Sequence, residues 1–242
     1  MAQLMLLGDS PALRDRWSVR RSERARRLAV RVLPGGAVEI VVPKGIRPGT
    51  VERFVTRHRQ WIERKVAQYA PLEPTPADCL PDHIHFSASG HRFEIRYLDS
   101  PDTLRLTTTA GVVQVKGDMA RPTLIRHVLQ RFAMRQAHDI FDPWLAGLSR
   151  ETGLHYTRTQ VRRQRTRWGS CSRNGTISLN ACLLFQQPAI VNYLLLHELA
   201  HTRHMNHSRR YWALVQGLEP RARELDAELS LGWRAVPAWV LR

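Results

Sequence analysis

Within this 242-residue sequence, the segment Val191-Asn-Tyr-Leu-Leu-Leu-His197-Glu198-Leu-Ala-His201 carries a pattern whose residue types and spacing can do chemistry. On a helix, residues four apart lie one above the other, so His197 and His201 can turn their imidazoles to a single zinc ion at about 2.0–2.1 Å. Glu198 projects beside them. Neutral imidazole is a good zinc ligand, the bound metal lowers the pKa of its water, and a neighbouring carboxylate can take the released proton and hand it to a leaving group. The expected chemistry is hydrolysis with Zn2+ as cofactor.

A catalytic zinc site wants a third protein ligand. If the helix continued, His204 would lie about 10.5 Å along the axis from His197, too far for both to hold one ion. His207 fits if the chain leaves the helix and folds back through Met205-Asn206, with Ser208 capping a following helix through Tyr211, Trp212, Leu214 and Val215. Carboxylates on that later stretch, Glu219, Glu224 or Glu228, are the alternative to His207. Tyr211 and His204 are candidate donors to the oxyanion.

Upstream, Arg165 to Asn180 reads as a hairpin turning at Asn174-Gly175. Its edge is a candidate seat for an extended substrate, held through backbone hydrogen bonds. There Gly169 allows close backbone approach, and Trp168 forms either an apolar wall or part of the core. Arg163, Arg165 and Arg167 are expected to alternate onto one strand face, where they can meet carboxylate or phosphate.

These groups need a scaffold. Leu28–Leu33 and Ala37–Val42 read as strands joined by Pro34-Gly35-Gly36, and Val51, Phe54, Val55, Ile62 and Val66 mark an amphipathic helix from about Pro48 to Gln68. A Pro-rich stretch, Pro71 to Pro81, ends it. Short alternating segments follow at Phe93–Tyr97, Leu104–Leu106 and Val112–Val115. A long helix spans Leu124 to Leu148, which Pro143 should kink or end.

The 43% hydrophobic and 24% charged composition is that of a globular chain. No apolar run reaches the roughly 20 residues of a membrane span, and the opening residues lack the form of a secretory signal. Cys79, Cys171 and Cys182 make neither a disulfide framework nor a zinc pair, and no function is expected of them; a reducing cytoplasm suits them. The net charge of +16, with only Lys44, Lys65 and Lys116 as lysines, attracts polyanions. The runs Arg20–Arg27 and Arg162–Arg167 are where nucleic acid would meet it.

Thr166-Arg-Trp-Gly-Ser-Cys-Ser172, Ile177-Ser-Leu-Asn180, His197-Glu-Leu-Ala-His201 and His204-Met-Asn-His-Ser208 with Tyr211-Trp212 together resemble the YgjP-like metallopeptidase family, also called DUF45. The likeness extends loosely over residues 19 to 233. It implies a zincin-like catalytic half related to the SprT and WLM groups, with His197, His201 and His207 as zinc ligands and Glu198 as acid/base. The expected fold is α+β: a β-rich region with one amphipathic helix over 1–118, then a mainly helical catalytic domain with a β-hairpin over 119–242. The expected function is a cytoplasmic zinc metallopeptidase, with Arg167, Trp168, Gly169 and Tyr211 touching a polypeptide substrate. The alternatives are a nucleoside triphosphate pyrophosphohydrolase and a nucleic-acid-associated protein with a structural zinc site.

Overall fold

The computed structural model describes residues 17–70 and 79–241, so most of the Pro-rich stretch lies outside the described residues. The chain forms two compact units, Met1–Glu73 and Pro74–Arg242.

In the first unit, β1 (Trp17–Ser22), β2 (Ala29–Val32) and β3 (Val38–Pro43) form a sheet in the order β1-β3-β2. β1 runs parallel to β3 and β2 antiparallel to it. The helix α1 (Pro48–Tyr69) opens with Pro at its first position, where the missing N–H costs no hydrogen bond. Val51, Val55 and Ile62 from α1 meet Val32, Val38, Ile40 and Val42 in one apolar core. Strand alternation and helical periodicity thus bury the same side of each element. On the side of β3 turned away from that core, Glu39 lies between Arg20 and Arg31, at 3.4 and 3.8 Å.

The second unit begins with β4 (His83–Phe86), β5 (His91–Asp99), β6 (Arg105–Thr109) and β7 (Val112–Gly117), ordered β4-β5-β7-β6. The long helix α2 (Pro122–Thr152) follows. Phe132 of α2 packs its ring edge-on against Phe93 at 5.1 Å and lies 6.2 Å from Phe86. This aromatic seam explains why the four-stranded sheet groups with the second unit, whereas the sequence reading divides the chain at residue 118. α2 is not ended by Pro143. Phe141, Leu145 and Leu148 on both sides of the proline are buried, and that burial offsets the hydrogen bond that proline cannot make.

A second small sheet combines β8 (Arg158–Arg162), β9 (Gly169–Cys171) and β10 (Thr176–Asn180) in the order β8-β10-β9. β9 and β10 are the antiparallel hairpin, and Gly175 takes the positive φ of 70° that its turn requires. Arg163, Arg165 and Arg167 fall between β8 and β9, so they do not alternate on a strand as expected. The loop instead runs from the end of one edge strand to the start of the other.

Next come α3 (Pro188–Ala200), α4 (Arg209–Leu218), α5 (Ala222–Leu231) and a last turn, α6 (Ala238–Leu241). α3 is apolar on nearly every side, with Ile190, Val191, Tyr193, Leu194, Leu195, Leu196 and Leu199 all buried. It is a core rod rather than an amphipathic surface helix. No helix among the described residues is long and apolar enough to cross a membrane.

Candidate active site

The C-terminal end of α3 carries His197, Glu198 and His201. The helix stops at Ala200 with His201 as its cap, and turns bonded from Thr202, Arg203 and His204 back to Leu199 and Ala200 redirect the chain. Ser208 then caps α4, its hydroxyl accepting from the Tyr211 amide at 3.4 Å. The segment between delivers His207 back to the helix end. Nε2 of His197 lies 3.3 Å from Nε2 of His201 and 3.3 Å from Nε2 of His207. All three residues offer ligand atoms within 4.8 Å of one another, a group able to hold a metal ion.

Those separations have a simple meaning. Two nitrogens bonded to one zinc at about 2.0–2.1 Å with a tetrahedral angle stand about 3.3–3.4 Å apart. His201 Nδ1 lies 2.9 Å from the carbonyl of His204, which can only accept, so the ring proton sits on Nδ1 and Nε2 keeps its lone pair. Burial and the two neighbouring imidazoles hold His197 down to about 3, and burial also lowers His201. Both rings are therefore neutral near pH 7, the form that binds metal. The three imidazoles fit a divalent ion with a tetrahedral ligand preference.

Tyr211, fully buried, backs this cluster. Its ring stacks on His201 at 4.7 Å and meets His207 edge-on at 4.8 Å, while its hydroxyl donates to the His197 carbonyl at 3.4 Å. That hydroxyl points at backbone. On the far side of His197, Nδ1 lies 3.1 Å from the Tyr193 hydroxyl, which donates to Asp226 Oδ1 at 2.8 Å. His204 enters through its carbonyl. Of the rival carboxylates, Glu224 and Glu228 face Arg221 and Glu219 accepts from the Arg221 amide.

Glu198 is 3% exposed, and its Oε2 has no hydrogen-bond partner among the described residues. Burial pushes its carboxyl up to about 8, with the charge of Arg167 pulling the other way. Gly169 at the start of β9 lies directly against it: a Cβ there would stand 2.9 Å from both Cγ and Cδ of Glu198 and closer still to Oε1. The close approach expected of Gly169 is thus made to Glu198.

Asn180, fully buried at the end of β10, ties down the preceding loop. Its side-chain amide donates to the carbonyls of Gln164 and Arg167 at 2.8 and 2.7 Å, and its backbone N–H donates to Trp168 at 2.8 Å. Its remaining side-chain oxygen accepts from the Cys182 amide at 3.1 Å. Trp168 is buried and stacks on Trp233 at 4.0 Å and 22°. Its ring packs in the core. Arg167 is exposed, and β9 is an edge strand. Burial raises Cys171 to about 11 and Cys182 to about 12, which keeps both as thiols.

Sequence reading misses Tyr193, Asp226 and the work of Asn180. Tyr193 was within reach, because it stands four residues before His197 on the same helix. So was a second spacing: His207 follows His197 by ten, the step of the extended H-E-x-x-H-x-x-G-x-x-H zinc signature, with His204 in the glycine place. Asp226 has no sequence signal that ties it to His197.

Comparison with known proteins finds a match over residues 26–231 to the YgjP-like, metallopeptidase domain. Among curated proteins, none matches the chain. Among solved structures, the chain is similar to the crystal structure of the metallopeptidase zymogen of Pyrococcus abyssi abylysin, with 24% identity over 41% of this chain and 90% of that one and a TM-score of 0.30.

Proposed function

The chain belongs to the YgjP-like metallopeptidase family, and on that premise we propose that it is a zinc-dependent peptidase whose metal is held by His197, His201 and His207. The observation that carries this reading is the pair of 3.3 Å Nε2 separations centred on His197, the spacing of tetrahedral ligands on one ion. When bound, a zinc ion there supplies Lewis acidity to water and to the substrate carbonyl.

The remaining work falls to the chain's own groups. Glu198 takes the proton of the attacking water and returns it to the leaving amine nitrogen. Burial makes its carboxyl hold a proton more tightly than an exposed one would, and a carboxylate beside the metal can both take and return a proton. The edge of β9, beginning at Gly169 beside Glu198, offers backbone groups for an extended peptide, so the strand sets the register of the scissile bond against the carboxylate. Arg167 places a fixed positive charge near the same carboxylate, where it favours substrates bearing an acidic group.

Two measurements test this together: elemental mass spectrometry on folded wild type, His207→Ala and Glu198→Gln, and hydrolysis of an unfolded protein or peptide library by each. The expected result is about one zinc per chain in wild type and Glu198→Gln, little in His207→Ala, and cleavage by wild type alone. A folded wild type that binds no metal, or one that releases pyrophosphate from a nucleoside triphosphate and leaves peptides intact, overturns it.

A further inference from the structure

We propose that Tyr193 and Asp226 form a relay that fixes the ring orientation and tautomer of His197 and thereby sets the metal affinity of the site; the metal part of this rests on the reading of His197 as a ligand. The argument follows the protons. Tyr193 Oη lies 2.8 Å from Asp226 Oδ1 and 3.1 Å from His197 Nδ1. A carboxylate only accepts, so the tyrosine proton goes to Asp226. The phenol oxygen then has only lone pairs to offer Nδ1, and that contact is bonding only if Nδ1 carries the imidazole proton. His197 Nε2 is left bare and faces the two other Nε2 atoms, 3.3 Å from each.

Three further facts support the relay. Tyr193 is fully buried, so its hydroxyl is held between Asp226 and His197 rather than turned to solvent. Tyr193 and His197 are four residues apart on α3, where side chains stack along one face. The other helical ligand, His201, is set in the same tautomer by a different acceptor, the His204 carbonyl. Both imidazoles thus have an acceptor behind them, one the His204 carbonyl of the adjoining turn and one the Asp226 carboxylate of α5, reached through the Tyr193 phenol of α3. Such outer partners hold the ring and raise its basicity as a ligand.

Tyr193 and Asp226 are positioning residues, so the test reads the metal and the ring rather than turnover. Zinc affinity is measured on the full chain by competition with a chromophoric chelator for wild type, Tyr193→Phe, Asp226→Asn and Asp226→Ala. The His197 tautomer is read in the metal-free proteins from imidazole nitrogen shifts by long-range proton–nitrogen NMR. Expected are Nδ1–H on His197 in wild type, a mixed tautomer in Tyr193→Phe and Asp226→Ala, and zinc affinity about 10- to 100-fold weaker in both. Asp226→Asn keeps an acceptor without the charge and should fall between. Asp226 is exposed, so Asp226→Ala remains informative if Tyr193→Phe does not fold. Unchanged ring shifts and unchanged affinity in folded Asp226→Ala overturn the relay, as does a wild-type His197 protonated on Nε2. Failure of wild type to bind zinc would sink the metal reading, whereas the tautomer in the metal-free protein judges the relay on its own.

Discussion

Gly169 and Glu198 are in contact across the gap between β9 and α3, at a position where any side chain would press on the carboxylate. Because the carboxylate side chain it would meet is 3% exposed, that side chain has little room to give way. Gly169→Ala should therefore turn the carboxylate aside. We expect kcat/KM for peptide cleavage to fall about 100-fold with zinc content unchanged, since a displacement near 1 Å costs about that much. A variant with wild-type turnover would show that the carboxylate tolerates the displacement.

In metal-free protein, Glu198 and His197 bend the pH dependence of stability in opposite directions. The Glu198 carboxyl stands at about 8 in the fold against an ordinary 4.5. Between those values the unfolded chain has released a proton that the fold keeps, so stability is lost as pH rises from about 4.5 to 8. His197 stands at about 3 against 6.5, so the unfolded chain holds a proton the fold does not, and stability is lost as pH falls from about 6.5 towards 3. Each tenfold difference in proton affinity is worth about 1.4 kcal/mol. Glu198→Gln should remove the alkaline loss: level with wild type near pH 4.5, more stable above pH 8. Parallel urea-unfolding stabilities across that range would refute the buried-carboxyl account.

Asn180→Ala removes the acceptor of the Cys182 amide and the donor to two loop carbonyls. Burying those groups without partners should cost on the order of 3 kcal/mol. Because the loop leads into Arg167 and Gly169, peptide turnover should fall further than the stability loss explains. Chemical denaturation, together with turnover measured well below the melting temperature, separates the two effects; activity tracking only the folded fraction would deny Asn180 a positioning role.

Trp168→Ala should destabilise the protein by about 3–5 kcal/mol, the range for truncating a buried large aromatic. Trp168→Phe should recover much of that loss and retain peptide affinity, because the ring packs on Trp233. If Trp168→Phe instead weakens KM sharply with stability intact, the indole touches substrate.

Much of the site was legible because its spacing is local. The helical step from His197 to His201, the exit before His207 and the Ser208 cap all leave marks within a dozen residues. The hairpin was announced by Asn174-Gly175, and α1 by its apolar period. What escaped was carried by pairing across distance. β1 holds Ser18, Arg20, Arg21 and Ser22 among its six residues and is a strand because it lies parallel to β3. β4 is too short to show a period of its own and exists through its register with β5. Arg163–Arg167 alternates in sequence as a strand would, but Asn180 occupies its backbone acceptors at residues 164 and 167. Asp226 comes to Tyr193 only when α5 packs beside α3.

The stacked indoles of Trp168 and Trp233 make the molecule its own optical gauge. Two rings 4.0 Å apart at 22° are electronically coupled, so near-ultraviolet circular dichroism and indole emission depend on their contact. Trp168 immediately precedes Gly169, and Trp233 follows α5, which carries Asp226. Because these are two of seven tryptophans, the seating of the loop beside Glu198 is read as the spectral difference between the unlabelled wild type and Trp168→Phe, with no substrate added.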